Sequence, residues 1–191
     1  MAVIETHPAS VAGPWSEGFV LDKHMVWSVP VGHDGVRTVF KSQRTPLGEL
    51  VYRFKNRGGS PVDIIDTAAD FVARRWPSGI DMVVWPPPSI RRARQPAAIL
   101  ARGIAERIGA PIEGRAVKKV AVTQQIKNLA TYERAAVLEE AIQPGPVSLE
   151  NRRILIVDDL WQTGSTMRRV ASVLRSAGAA DVRALAMTRT R

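Results

Sequence analysis

The stretch that most constrains the fold runs from Ile154 to Gly178, ILIVDDLWQTGSTMRRVASVLRSAG, and it is ordered as an apolar run, two acids, a hydroxyl-glycine loop and an amphipathic segment. Ile154, Leu155, Ile156 and Val157 are uninterrupted and apolar, which predicts a strand of a parallel sheet covered on both faces. Asp158 and Asp159 follow at the predicted end of that strand. In an open α/β sheet the carboxyl ends of the strands border the ligand crevice, so carboxylates placed there face a site. Thr163, Gly164, Ser165 and Thr166 then lead into Met167–Ser176, where Val170, Val173 and Leu174 recur at helical spacing and Gly178 supplies a stop.

The residue types in this segment imply a chemistry. A helix N-terminus carries unpaired N–H groups and a partial positive charge, and a loop of small hydroxyl residues lets those donors close around a phosphate monoester. Carboxylates repel that phosphate but accept hydrogen bonds from neutral hydroxyls one sugar length away. A ribose 5-phosphate meets both demands, with its phosphate on Thr163 to Thr166 and its 2- and 3-hydroxyls on Asp158 and Asp159.

Composition narrows the alternatives. A chain of 191 residues accommodates one α/β domain with an appendage. The absence of cysteine excludes a disulfide framework and a cysteine-ligated zinc site. His7, His24 and His33 lack metal-ligand spacing. No apolar run reaches the length of a membrane span, and a cytoplasmic protein is expected. The 27 Lys and Arg against 18 Asp and Glu give a net charge of +9, which suits a polyanionic partner, either a phosphorylated sugar or a nucleic acid. No zinc finger, basic zipper or RNA-recognition signature is present, so nucleic-acid binding would be electrostatic and salt-dependent.

Upstream, the region 1–57 reads as a small hood. FVLDKHMVWSVPVG and GVRTVFKSQ predict an antiparallel hairpin turning at Asp34-Gly35, and TPLGELVYRFKNRGG predicts a short helix ending in a loop. The core then occupies 58–191. Ile64, Ile65, Ala68, Phe71, Val72 and Trp76 mark one face of a helix, and Asp81 to Trp85 form a strand stopped by Pro86-Pro87-Pro88-Ser89. Arg91, Arg92 and Arg94 crowd this loop, and a helix follows from Ala97 to Ile108. Ala116 to Val122 is a further strand candidate and Tyr132 to Ile142 a helix; the polar stretch 123–131 between them has the composition of a mobile loop, either a lid or a solvated connector.

The segment VDDLWQTGST resembles the phosphoribosyl diphosphate (PRPP) signature of type I phosphoribosyltransferases. Trp161 and Gln162 depart from it, because the family usually places small residues there. Within that family the chain looks most like ComF-type proteins: Tyr52 to Lys55, Trp85 to Pro88 with Arg92, Arg94 and Gln95, and Thr123-Gln124-Gln125 with Leu129, Glu133 and Arg134 correspond to its further segments. The cysteine-rich zinc-binding segment common in ComF proteins is missing. The resemblance implies an α/β type I phosphoribosyltransferase fold, a Rossmann-like parallel sheet flanked by helices with a small N-terminal β hood. It also implies transfer of a phosphoribosyl group from PRPP to a nitrogenous base or related acceptor, with release of diphosphate.

By the same resemblance, Asp158 and Asp159 are the catalytic candidates, and Gln162, Thr163, Gly164, Ser165 and Thr166 hold the 5-phosphate. Pro87, Pro88, Ser89, Arg92 and Arg94 are diphosphate candidates, with Lys118, Lys119 and Lys127 weaker ones. Gln124, Gln125, Lys127 and Arg134 belong to the lid. Magnesium is expected to travel with PRPP, carried by substrate oxygens and water, with Asp158 and Asp159 reached through water. The alternative is a non-catalytic ComF-like protein that senses a nucleotide or PRPP, or binds DNA, on the same fold; a homodimer is compatible with both.

Overall fold

A computed structural model describes residues 3–88, 94–120 and 141–190. Its centre is a five-stranded sheet of β1 (Ala9–Ser10), β2 (Glu17–Lys23), β5 (Met82–Val84), β8 (Arg153–Trp161) and β9 (Asp181–Arg189), in the order β1-β2-β9-β8-β5. β2, β9, β8 and β5 run parallel, and β1 is antiparallel at the edge. The expected α/β class and mostly parallel sheet are present.

The apolar run explains why β8 is central. Ile154 and Ile156 pack on one face of the sheet and Leu155 and Val157 on the other, all without solvent exposure. A strand alternates its side chains between faces, so an unbroken apolar run needs cover on both. One cover is α1 (Pro46–Arg57), α2 (Val62–Arg75) and α3 (Pro96–Ile108), whose Leu47, Val51, Phe54, Ile64, Val72, Leu100 and Ile104 join Leu155 and Val157 in one core. The other is α4 (Ser165–Ser176), with Met167, Val170, Val173 and Leu174 packed on the side of Ile154 and Ile156.

Several elements differ from expectation. β8 does not stop at Val157 but continues through the acids to Trp161, because β9 stays alongside it and pairs Asp158 with Ala186, Leu160 with Thr188 and Trp161 with Arg189. On the other side β5 ends where Val84 meets Ile156. The acids therefore stand at a step in the sheet, paired on one flank and open on the other. The expected strand from Ala116 to Val122 is shorter within the described residues: β6 (Val117–Lys119) pairs antiparallel with β7 (Ile142–Pro144) in a ribbon separate from the main sheet. Its Lys118 and Lys119 are exposed, and lysines do not sit in a strand covered on both faces. Ile142 accordingly opens β7 rather than closing a helix.

The N-terminal region also divides differently. FVLDK lies in β2 within the central sheet, where Val20 and Leu21 are buried in opposite cores. The hairpin itself is β3 (Met25–His33) with β4 (Thr38–Arg44). Its turn is the expected one: Gly35 takes φ 90°, and Asp34 Oδ1 accepts the N–H groups of Val36 and Arg37 at 3.0 and 2.9 Å. Elements from both sides of residue 57 thus share one sheet and one core, while the hairpin projects with Val26, Val31, Val36 and Phe40 more than half exposed.

Thr45 fastens the base of this hairpin. Its hydroxyl donates to the Lys23 carbonyl at 2.6 Å and accepts the Gly48 N–H at 3.0 Å, capping α1 and tying it to the end of β2. Thr45→Ala is expected to lower stability by about 1–2 kcal/mol, and Thr45→Ser to restore most of it. Thermal midpoints should separate the three proteins by about 2–4 °C per kcal/mol.

Candidate functional site

A cavity of about 330 Å³ opens beside the step in the sheet. Its walls are the strand end and loop from Asp158 to Met167, the residues Trp85 to Pro88 after β5, the start of α3 at Gln95 to Ala98, and the single residues Lys55, Lys119 and Ile142. The expected acid pair, the Gln162–Thr166 loop and Pro87 and Pro88 are therefore brought together.

The loop is shaped by its glycine. Gly164 is the N-cap of α4 with φ 74°, a left-handed conformation that side chains resist. A Cβ there would also stand 2.2 Å from the Trp161 indole. No side chain caps this helix, its first turn has no acidic residue, and the first helical bond is Arg168 N–H to the Gly164 carbonyl at 2.9 Å. The N–H groups ahead of it are left for a ligand; Ser165 N–H has only the Thr163 hydroxyl at 3.4 Å, and that hydroxyl meets Ser165 Oγ at 3.0 Å. Such an end favours an anion.

The acid pair is asymmetric. Lys55 Nζ lies 2.5 Å from Asp159 Oδ2, and Asp159 is buried. Asp158 Oδ1 accepts the Asp159 N–H at 2.8 Å. Although Asp158 keeps some residue surface, its carboxyl is desolvated. Burial first, and the Asp159 carboxylate second, push it from 3.8 up to about 8. The raised pKa favours the protonated form of Asp158, a carboxyl that can donate as well as accept, beside Asp159 and Lys55. His24 lies within the same field. Its Nδ1 is 3.0 Å from Thr188 Oγ1, and burial followed by the charges of Arg44 and Lys55 lowers its pKa.

Other expected residues are placed differently. Arg94 does not reach the cavity: its guanidinium lies 4.7 Å from the Phe54 ring centroid, donates to the Gly59 carbonyl at 3.4 Å, and lines a separate groove between α2 and α3. Ser89, Arg92, Gln124, Gln125, Lys127 and Arg134 lie outside the described residues. Pro86, Pro87 and Pro88 have no N–H groups, so these three residues offer an anion no backbone donor. Lys119, on the cavity wall, has no ion pair among the described residues. Lys55 was absent from the candidate site residues, although the Tyr52 to Lys55 segment was its signal; a lysine late in a helix reads as solvent-facing until the fold aims it at Asp159.

Among the described residues no grouping of three or more His, Asp or Glu could hold a metal ion. No helix among them is long and apolar enough to cross a membrane.

A parallel sheet covered on both faces, with a phosphate-type loop and an acid pair at one strand end, defines a type I phosphoribosyltransferase fold. Residues 63–190 match the family model described as phosphoribosyl transferase domain, and the chain belongs to that family. Among solved structures it is similar to the glutamine PRPP amidotransferase from B. subtilis, with 20% identity over 88% of this chain and 36% of that one and a TM-score of 0.49. It is also similar to a hypoxanthine phosphoribosyltransferase from Staphylococcus aureus (16% identity, 68% of this chain, 65% of that one, TM-score 0.45) and to a purine phosphoribosyltransferase from Pyrococcus horikoshii Ot3 (18%, 66%, 83%, 0.42). The chain spans about a third of the length of the first and under two thirds of the second. No curated protein matches it.

The raised Asp158 pKa has a signed consequence for stability. The native state keeps a proton that the unfolded chain releases near 3.8, so this stabilisation is complete below 3.8 and is lost as pH rises toward about 8. Asp158→Asn, neutral throughout, is expected to remove that loss. Its thermal midpoint should fall less than that of the wild type between about pH 5 and about pH 8, by at least the roughly 2–4 °C that 1 kcal/mol represents in a chain of this size.

Proposed function

We propose that this chain binds PRPP and transfers its 5-phosphoribosyl group to a nitrogenous base or related acceptor. The observation that carries this reading is that the uncapped start of α4 and the Asp158–Asp159 pair open on one cavity of about 330 Å³. An anion site and a hydroxyl-binding site on one cavity suit a ribose 5-phosphate better than an isolated phosphate or a neutral sugar.

In this reading the loop from Gln162 to Thr166 holds the 5-phosphate through backbone N–H groups and hydroxyls. Asp159, oriented by Lys55, accepts one ribose hydroxyl, and the protonated Asp158 shares the other. During transfer the bond from the anomeric carbon to the diphosphate oxygen breaks and its electron pair leaves with diphosphate. The acceptor nitrogen supplies the pair for the new bond and then releases its proton. Positive charge grows on the sugar in between, and the negative acid pair favours it. Pro87 and Pro88 shape the diphosphate side without donating to it, and Lys119 supplies its positive charge. Magnesium fits as the substrate's counter-ion, since two carboxylates with Lys55 on one of them do not make a cage; Asp158 and Asp159 would reach it through water. Bound in this way, it would lower the negative charge of the departing diphosphate.

The hairpin β3–β4, within the N-terminal region 1–57, is the part we propose as the hood on the acceptor side. A second, non-catalytic ComF-like reading draws on the same hairpin: Trp27, Phe40, Arg37 and Lys41 are exposed on it, and the chain carries a net charge of +9. That combination suits a nucleic acid. In that case affinity for single-stranded DNA should fall steeply with salt.

Calorimetric titration with PRPP and magnesium, followed by a scan of bases for diphosphate release, tests the first reading. We expect binding, release with at least one acceptor, and binding weakened at least tenfold by the double change Asp158→Asn with Asp159→Asn, since hydrogen bonds to charged groups contribute about 1.5–3 kcal/mol. Gly164→Val should abolish phosphate binding. Unchanged affinity in both variants would exclude this site, and binding without release would favour the sensor reading.

A further inference from the structure

Trp161, the bulky residue that sets this phosphate loop apart, is the centre of a cluster that reaches back to the N-terminus. Its indole lies against the Cα of Gly164, filling the space a side chain there would take. Trp15 meets it edge to face, with ring centroids 5.8 Å apart at 71°, and the Arg168 guanidinium covers it at 5.2 Å. Trp15 is itself fixed: it is buried, its Nε1 donates to the Val11 carbonyl at 2.8 Å, and a Cβ on Gly13 or Gly18 would stand 2.3 Å from its ring.

Arg168 joins the two segments. Its Nε donates to the Ala12 carbonyl at 3.0 Å and its Nη1 to the Thr163 carbonyl at 2.7 Å. The second bond orients the loop. The peptide between Thr163 and Gly164 is trans and planar, so holding its carbonyl on Arg168 turns the Gly164 N–H to the opposite side. An arginine one turn into a helix also works against the helix dipole, and the first turn of α4 has no acid to offset it. Only a planar, forked cation can bridge two carbonyls and lie on an indole at once.

We infer that Trp15, Trp161 and Arg168 form a brace that sets the open shape of the Thr163–Thr166 loop, making the N-terminal segment around Val11 to Trp15 a positioning part of the phosphate site. The inference rests on the reading of that loop as the 5-phosphate site. Arg168 acts through the loop backbone, and Trp161 replaces, by packing, the order that a smaller residue would leave to the ligand.

The test uses the full chain with two variants, Arg168→Lys and Trp15→Leu, both of which keep the charge. Hydrogen exchange of the 162–167 amides without ligand reads the brace, and titration with ribose 5-phosphate and with diphosphate reads its consequence. We expect both variants to exchange faster in the loop and to bind ribose 5-phosphate roughly tenfold or more weakly, with diphosphate affinity within about twofold of the wild type. A general loss of structure would weaken both ligands and lower exchange protection across the sheet, and would overturn the inference. So would unchanged loop exchange, or full ribose 5-phosphate affinity in Arg168→Lys, which would make Arg168 a direct charge contact. Wild-type protein with a protected loop but no affinity for ribose 5-phosphate would overturn the underlying reading, and the positioning role with it.

Discussion

The burial of β8 on both faces is the constraint on which the other features depend. Four consecutive apolar residues with no solvent exposure leave the carboxyl ends of the strands as the place in the sheet for polar groups that face a ligand. Because β5 stops short and β9 continues, those ends form a step rather than a line. The step gives the cavity its depth and leaves Asp158 and Asp159 flanked by backbone on one side only. The same strand hands the chain to Gly164, whose left-handed conformation starts α4 without a side-chain cap on the cavity that the acids also line.

Electrostatics then divides the labour within the cavity. Two adjacent carboxylates in a desolvated site cannot both stay ionised without a strong counter-charge, and Lys55 supplies one such charge. Burial, and the neighbouring Asp159 after it, raise the Asp158 pKa and favour its protonated form. That state suits sugar hydroxyls, each of which both donates and accepts. The α4 start and Lys119 add positive charge to the same cavity, where the proposed substrate carries its phosphates.

Much of this was legible in the sequence because the uninterrupted apolar run, the acid pair and the hydroxyl-glycine loop each have a local physical meaning. The turn at Asp34-Gly35 was readable from its residue types, and the helices of Ile64 and Leu100 from apolar spacing. What was hidden depends on contacts across the fold. The continuation of β8 past Val157 follows from β9, which pairs Asp158 with Ala186, and polar Asp158 gives no hint of it. Lys55 is one cation among 27 Lys and Arg until α1 is packed on the sheet. Arg94 was expected beside the phosphates because it follows the proline loop, yet Phe54 offered its guanidinium an aromatic face on the other side of α3. Trp161 looked like a departure from a small-residue loop; Trp15, 146 positions away, explains how it is accommodated.

The central claim is that one cavity binds the phosphate and the hydroxyls of one sugar. The most direct measurement is a crystal structure of the protein with ribose 5-phosphate. The account predicts density with the 5-phosphate within hydrogen-bonding distance of the N–H groups from Gly164 to Met167, and the 2- and 3-hydroxyls on Asp158 and Asp159. Phosphate density elsewhere, or a sugar whose hydroxyls point away from the acid pair, would contradict it.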